Sequence, residues 1–361
     1  LVHLNIRSLL LYVVDQEGYK QNISHGIKGS VPDFIPLDKV KDNKETGELN
    51  IIVEEGFSFN ELETYLPVYH KEKMLAILFL MKKDESLELD LDFTQALTNI
   101  LVVALENKRF ARRQLEQERL KKEVEIASNV QRMLFPANLP QNGKLKAKVT
   151  YIPHSTVGGD YYDLIQKSED EVFFCIADVS GKGMPAALLM SNFQAALRTL
   201  LRSSSDLKMI VEQLNYTIFE NTVGERFITF FLGSYNYKTR ELNYVNAGHN
   251  PPILYWEGER RSEILEAGTT ILGAFDTLPF LEIGKRSHLK GFSIHLYTDG
   301  LTENFNDKDE EYGDERFGKF VKKQVCVDPE EFHKAFFKEL EAFSNGMDRM
   351  DDITLMSLRF Q

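Results

Sequence analysis

The spacing of apolar and polar positions divides the chain into three stretches of different character. Residues 91–134 contain no Gly or Pro and are rich in Leu, Ala, Glu, Gln, Lys and Arg. Such side chains lose little freedom in a helix, so the stretch predicts one long helix or two nearly continuous ones. It should end at Phe135-Pro136, because proline lacks an amide donor and restricts the residue before it. In front of it, strand-like runs at 8–14, 50–53 and 74–81 alternate with turn-rich loops at 26–36 and 42–47. Behind it, apolar runs at 172–177, 292–297 and 353–360 predict strands separated by turns and a few helices. The expected organisation is a front domain over 1–90, a linker helix over 91–135 and a second domain over 136–361.

Within the helix, Leu120, Val124, Ala127, Gln131 and Leu134 follow the 4-3-4-3 spacing of a coiled-coil seam about two heptads long. Leu97, Leu101 and Ala104 share the spacing but run on into Lys108, so the phase is lost. The expectation is a parallel homodimer through this helix. The alternative is an amphipathic helix packed on its own domain.

Composition narrows the class. A chain of 361 residues is long for one core, and 43% apolar with 27% charged residues matches a soluble globular protein. No apolar run approaches the ~20 residues of a membrane span. The opening Leu1-Val2-His3-Leu4 lacks Met and a basic leader, and reads as the start of a fragment of a larger protein. Two cysteines cannot build a disulfide framework; Cys175 and Cys326 both lie among apolar neighbours and are expected to be buried, reduced thiols in the cytoplasm. A net charge of −12 argues against a nucleic-acid surface, and an acidic second half suits a cation site.

Chemistry concentrates after residue 140. Five segments combine carboxylates, glycines and strand ends: Gly158-Gly159-Asp160-Tyr161-Tyr162-Asp163, Asp178-Val179-Ser180-Gly181-Lys182-Gly183, Asn246-Ala247-Gly248-His249-Asn250-Pro251-Pro252, Thr298-Asp299-Gly300 and Asp351-Asp352-Ile353-Thr354. Asp178 and Asp299 each follow an apolar strand directly, and Asp351-Asp352 stands just before one. One Asp-Gly after a strand is ordinarily a turn. Several strand-end carboxylates without a His or Cys cluster point to hard cations such as Mg²⁺ or Mn²⁺ and not to zinc.

These five segments, in this order and spacing, resemble the SpoIIE/RsbU-type branch of the protein phosphatase 2C (PPM) family. The helix ending Gln131-Arg132-Met133-Leu134-Phe135-Pro136 resembles that branch's lead-in. The resemblance covers roughly 123–361. It implies an α+β fold, a sandwich of two mainly antiparallel sheets flanked by helices, with two Mn²⁺ or Mg²⁺ ions between the sheets. It implies that Asp178 bridges both ions with the Val179 carbonyl as a further ligand, that Asp299 and Asp351 hold one ion, and that Asp160 lies close to the metals. Asp352 ranks second to Asp351. The implied activity is hydrolysis of phosphoserine or phosphothreonine by metal-activated water, with a STAS-type anti-anti-sigma protein as substrate in bacterial signalling. Where the wider family carries a His after the bridging Asp, this chain has Ser180 and Lys182, which leaves leaving-group protonation unassigned; His249 is the one His inside a motif.

The front domain resembles the C-terminal two-thirds of a GAF domain, with 75–80 matching its late core strand and its first helix missing. Such a domain receives a small-molecule or protein signal. No Cys precedes 175, which excludes covalent bilin attachment, and His3, His25 and His70 are scattered. Other classes fit less well. Gly158-Gly159-Asp160 continues as Tyr-Tyr and not as the Glu-Phe of diguanylate cyclases. Ile176 and Gly183 stand where a phosphate-cradling P-loop needs Gly and Ser or Thr. A catalytically inactive pseudophosphatase that binds partners through the same fold is the remaining alternative, separated by metal-dependent turnover.

Overall fold

The computed structural model describes residues 5–15, 17–28, 31–41, 46–48, 62–70, 72–84, 86, 90–140, 143–259, 261–324 and 327–361. The expected strand at 50–53, His3, Cys326, the side chain of His70 and most of the loop at 42–47 lie outside them. The chain divides into two compact units, Leu1–Arg119 and Leu120–Gln361. Among the described residues no helix is long and apolar enough to cross a membrane.

The first unit is built on six antiparallel strands: β1 (Ile6–Val14), β2 (Gly18–His25), β3 (Phe34–Pro36), β4 (Gly47–Glu48), β5 (Thr64–His70) and β6 (Lys73–Lys82), in the order β3-β2-β1-β6-β5-β4. The runs at 8–14 and 74–81 lie in its central pair, β1 and β6. Leu10, Tyr12, Tyr65, Ile77 and Phe79 fill one face; Leu11, Val13, Val68, Ala76 and Leu78 fill the other with Val102 of the following helix. Burial on both faces explains why these strands read as continuous apolar runs.

Helix α1 spans Leu91–Arg132. Asp90 accepts from the Phe93 amide at 3.0 Å and opens it. It stops two residues before the expected end: Met133 and Leu134 donate to the Val130 and Gln131 carbonyls in tightened turns ahead of Pro136. The expected seam is divided. Leu120 is exposed and Val124 half-buried, whereas Gln131 is buried and Leu134 packs against the second unit's own core. Gln131 and Leu134 therefore serve their own unit, as the alternative reading of the helix required. Ile126, Val130 and Met133, again at 4-3 spacing, are left exposed.

The second unit holds strands β7 (Leu145–Ile152), β8 (Tyr161–Gln166), β9 (Glu171–Val179), β10 (Ile228–Asn236), β11 (Glu241–Ala247), β12 (Ile253–Trp256), β13 (Arg261–Ile264), β14 (Gly268–Thr269), β15 (Gly284–Arg286), β16 (Phe292–Tyr297) and β17 (Ile353–Phe360). Its helices are α2 (Met184–Ser203), α3 (Leu207–Thr222), α4 (Asp299–Thr302), α5 (Gly313–Lys323) and α6 (Pro329–Ser344). One sheet runs β14-β11-β10-β9-β8 with β15 beside β11, the other β13-β12-β16-β17-β7. All pairs are antiparallel except β11–β14.

Side chains alternate across a strand, and here the alternation sets the whole layout. Leu164, Phe174, Ile176, Phe292, Ile294, Leu296, Met356, Leu358 and Phe360 meet between the two sheets. The opposite positions, including Phe173, Cys175 and Ala177, pack under α2 and α3; Tyr297, Ile353 and Leu355 pack under α5 and α6. Cys175 is buried and free, and burial pushes its thiol well above the ordinary range.

A polar chain crosses the α6 layer. Thr150 Oγ1 meets His333 Nδ1 at 2.7 Å, His333 Nε2 meets Ser357 Oγ at 3.0 Å, and His295 Nδ1 meets the same hydroxyl at 2.8 Å. Burial pushes His295 and His333 down to about 3, so the fold holds both rings neutral while the unfolded chain binds protons below about pH 6.5. Their stabilisation is complete above that value and is lost as pH falls toward about 3. Denaturant titrations at pH 7 and pH 5 should show the wild type losing more stability than a His295→Asn, His333→Gln double variant, by as much as about 2 kcal/mol per ring.

Candidate active site

The inter-sheet layer ends in a cluster of carboxylates and hydroxyls. Following the face of Phe174 and Ile176 one step further reaches Asp178; following Ile294 and Leu296 reaches Thr298; following Leu358 and Met356 backwards reaches Thr354; following Leu164 and Tyr162 backwards reaches Asp160. The period of two that buries apolar side chains thus delivers these four polar ones to a single place. Asp160 is 1% exposed, and its Oδ2 accepts from Thr298 Oγ1 at 2.9 Å and Thr354 Oγ1 at 2.5 Å. Burial, with the neighbouring Asp178, raises its carboxyl well above the ordinary range. Asp178 is pushed up to about 7 by burial and then by Asp299 and Asp351, and Asp160 hydrogen-bonds to it. Asp299 begins α4 and is raised by burial and by Asp351. Buried carboxylates this close share protons when nothing else neutralises them.

The last pair divides its duties. Asp352, 6% exposed, accepts from the His154 amide at 2.7 Å on Oδ1 and from the Gly159 amide at 2.9 Å on Oδ2. Both oxygens hold backbone in place. Asp351 stands at the mouth, with Lys182 Nζ 2.7 Å from its Oδ2. Glycine is required in the loop that Asp352 holds: a Cβ on Gly158 would lie 2.1 Å from Asp352 Oδ2, and one on Gly159 would lie 2.9 Å from the Val179 carbonyl oxygen. That carbonyl, of the residue next in the chain to Asp178, lies against Gly159. Among the described residues no three acidic, His or Cys side chains converge as a finished ligand set. The donors are nonetheless all oxygen, and the raised carboxyls of Asp160, Asp178 and Asp299 are what burial and a concentration of like charge produce before a cation joins them. The chemistry fits a hard divalent ion.

A family model described as Stage II sporulation protein E (SpoIIE) matches residues 168–361, more than half of the chain. The phosphoserine phosphatase RsbU of Bacillus subtilis is 30% identical over 249 residues, which cover 67% of this chain and 71% of that protein. The chain belongs to the SpoIIE family. It is a protein serine phosphatase in signalling, of a metal-dependent family. Solved relatives share the fold of the SpoIIE domain. The SiaA-PP2C domain of Pseudomonas aeruginosa aligns with a TM-score of 0.61 at 21% identity, covering 68% of this chain and 99% of that one. A structure of the PP2C phosphatase domain with a fragment of the regulatory domain of SpoIIE from Bacillus subtilis aligns with a TM-score of 0.53 at 18% identity, covering 60% and 62%.

The SpoIIE domain also shows what sequence patterns did not single out. Thr298 and Thr354 support Asp160 directly; the signal was a Thr one residue before Asp299 and another two residues after Asp352. Gln131 Nε2 donates to the Gly158 carbonyl at 2.7 Å, and the Gly158 amide returns a bond to Gln131 Oε1 at 3.3 Å. Its signal was an amide at an otherwise apolar seam position. Asp163 faces away from the cleft and ties β8 to α2 through Arg198 Nε at 2.8 Å, while accepting from Tyr161 Oη of its own strand at 2.6 Å. His249 is 4% exposed, with Nδ1 2.8 Å from Thr229 Oγ1, and burial lowers it to about 4. The Asn246 side chain accepts from the His249 amide and donates to its carbonyl, so this motif is a buried corner of the SpoIIE domain.

Proposed function

We propose that the chain is a Mn²⁺- or Mg²⁺-dependent phosphatase acting on phosphoserine or phosphothreonine of a STAS-type signalling protein. The observation that carries the proposal is the convergence of Asp160, Asp178, Asp299, Asp351 and Asp352 at the end of the inter-sheet layer, where burial and neighbouring carboxylates raise the proton affinity of the first three. Asp178 would hold both ions with the Val179 carbonyl as a further ligand, Asp299 and Asp351 would hold one of them, with Asp160 adjacent and Asp352 fixing the Gly159 loop. When bound, two divalent ions supply a nucleophile from a shared water and neutralise phosphoryl oxygens. The chain's own residues position that chemistry: Thr298 and Thr354 orient Asp160, and Gly158-Gly159 let backbone approach. Among the described residues no thiol competes, because Cys175 occupies the opposite strand face, under α2. The deciding test incubates the purified chain with phosphorylated STAS proteins, with and without Mn²⁺. Phosphate release in both conditions, or in neither, overturns the proposal.

The regulatory part of the proposal assigns 1–90 to a GAF-like sensor, 91–135 to a dimerising linker and 136–361 to catalysis. Gln131 is the point at which α1 would speak to the site, through both polar groups of Gly158. Gln131→Leu removes both bonds while keeping the side-chain size. It is expected to raise the Mn²⁺ concentration for half-maximal turnover by about tenfold, which corresponds to about 1.4 kcal/mol, within the range for loss of two hydrogen bonds. An unchanged metal requirement in a folded variant would make the helix a spacer.

A further inference from the structure

Among the described residues lining the cleft of the candidate site, Lys182 is the one lysine or arginine. It sits at the tip of a turn between two glycines in the left-handed region, Gly181 at φ +92° and Gly183 at φ +73°. Gly183 is the cap of α2 and offers no side chain to that helix's first amides. The lysine side chain is 60% exposed, with its ammonium 2.7 Å from Asp351 Oδ2 and donating to the Met350 carbonyl at 2.7 Å. Arg226, the neighbouring cation, is committed: its Nη1 donates to the Ser180 carbonyl at 3.0 Å and lies where a Cβ on Gly181 would stand.

We propose that Lys182 is a substrate-binding residue, whose ammonium engages the phosphoryl oxygens of the phosphoserine. The inference rests on the phosphatase reading above. The partner that now holds the ammonium, Asp351, is one that reading assigns to a cation. A carboxylate engaged by a divalent ion holds an ammonium less strongly, and a flexible four-carbon stem lets the charge swing to another anion at the same mouth. When all are ionised, the five aspartates of the site (Asp160, Asp178, Asp299, Asp351 and Asp352) outweigh two divalent ions by one charge. Lys182 cancels that excess, without which an incoming phosphate dianion would meet a net negative cleft. The uncapped amides of α2 next to it favour the same ligand charge.

The experiment uses the full chain saturated with Mn²⁺ and three proteins: wild type, Lys182→Met and Lys182→Arg. Inorganic phosphate affinity is measured by calorimetry, KM and kcat with p-nitrophenyl phosphate, and Mn²⁺ affinity by calorimetry on the metal-free proteins. Lys182→Met should weaken phosphate binding and raise KM by about tenfold, with Lys182→Arg recovering part of the loss and Mn²⁺ affinity held or improved. Tighter Mn²⁺ binding with unchanged phosphate affinity would overturn the inference and make Lys182 an internal counter-ion only. A fall in Mn²⁺ affinity that accounts for the whole effect would overturn it too. A wild type with no Mn²⁺-dependent turnover sinks the phosphatase reading itself, a result distinct from either.

Discussion

Asp178→Asn is expected to reduce turnover on the order of a thousandfold or more while the protein stays folded. Asp178 is where the inter-sheet layer exits its apolar core, and by the proposed assignment it serves both ions at once. An amide keeps the volume and one acceptor oxygen but removes the charge that both cations need. Asp299→Asn and Asp351→Asn should each impair turnover severely through one ion. Asp352→Asn should act differently, because both Asp352 oxygens accept from backbone amides. An amide nitrogen cannot accept, so one buried donor is orphaned at a cost of about 1–3 kcal/mol. Its thermal midpoint should fall more clearly than its metal affinity. Turnover rates, melting curves and Mn²⁺ titrations on the four variants separate the roles. A fully active Asp178→Asn protein would remove the bridging assignment.

Excess chelator should abolish phosphate release, and restoring Mn²⁺ should both recover it and stabilise the second unit. At a hundredfold excess over its dissociation constant, a ligand that binds only the folded state adds about 2.7 kcal/mol, or roughly 5–10 °C for a unit of this size. The stabilisation should also depend on pH. The carboxyls of Asp160, Asp178 and Asp299 are raised in the metal-free fold. For a raised group the stabilising contribution is present at low pH and lost as pH rises through the folded value, about 7 for Asp178. The metal-free protein is thus penalised most above neutrality, and the midpoint gain on adding Mn²⁺ should be larger at pH 8 than at pH 6. Scanning calorimetry at both values, with and without chelator, checks this. Equal gains would show that the cluster does not carry the metal linkage.

Much of this protein is determined locally, and local determinants are legible in sequence. The strands at 172–177, 292–297 and 353–360 were visible as apolar runs, and the structure places them in β9, β16 and β17. The helix over 91–134 was visible because it lacks Gly and Pro, and it forms over Leu91–Arg132. Asp178, Asp299 and Asp351-Asp352 were legible because each stands at an end of such a run, and Asp160 because it follows Gly158-Gly159 in a motif of the resembled family.

Contacts between distant segments were decided only by the tertiary structure. Asp160 meets Thr298 and Thr354 across 138 and 194 residues, which no local period encodes. Asp351 and Asp352 are chemically identical neighbours; only the positions of the His154 and Gly159 amides make one a backbone clamp and leave the other at the mouth. The seam shows the same limit. A 4-3 repeat states that one helix face needs a partner, and it cannot state which partner. For Gln131 and Leu134 that partner is their own unit, because Gly158 offers a carbonyl and an amide that must be satisfied and the core under α2 offers Leu134 an apolar site. Sequence period fixes which side chains share a face; what covers that face depends on which chain segments the completed fold brings against it.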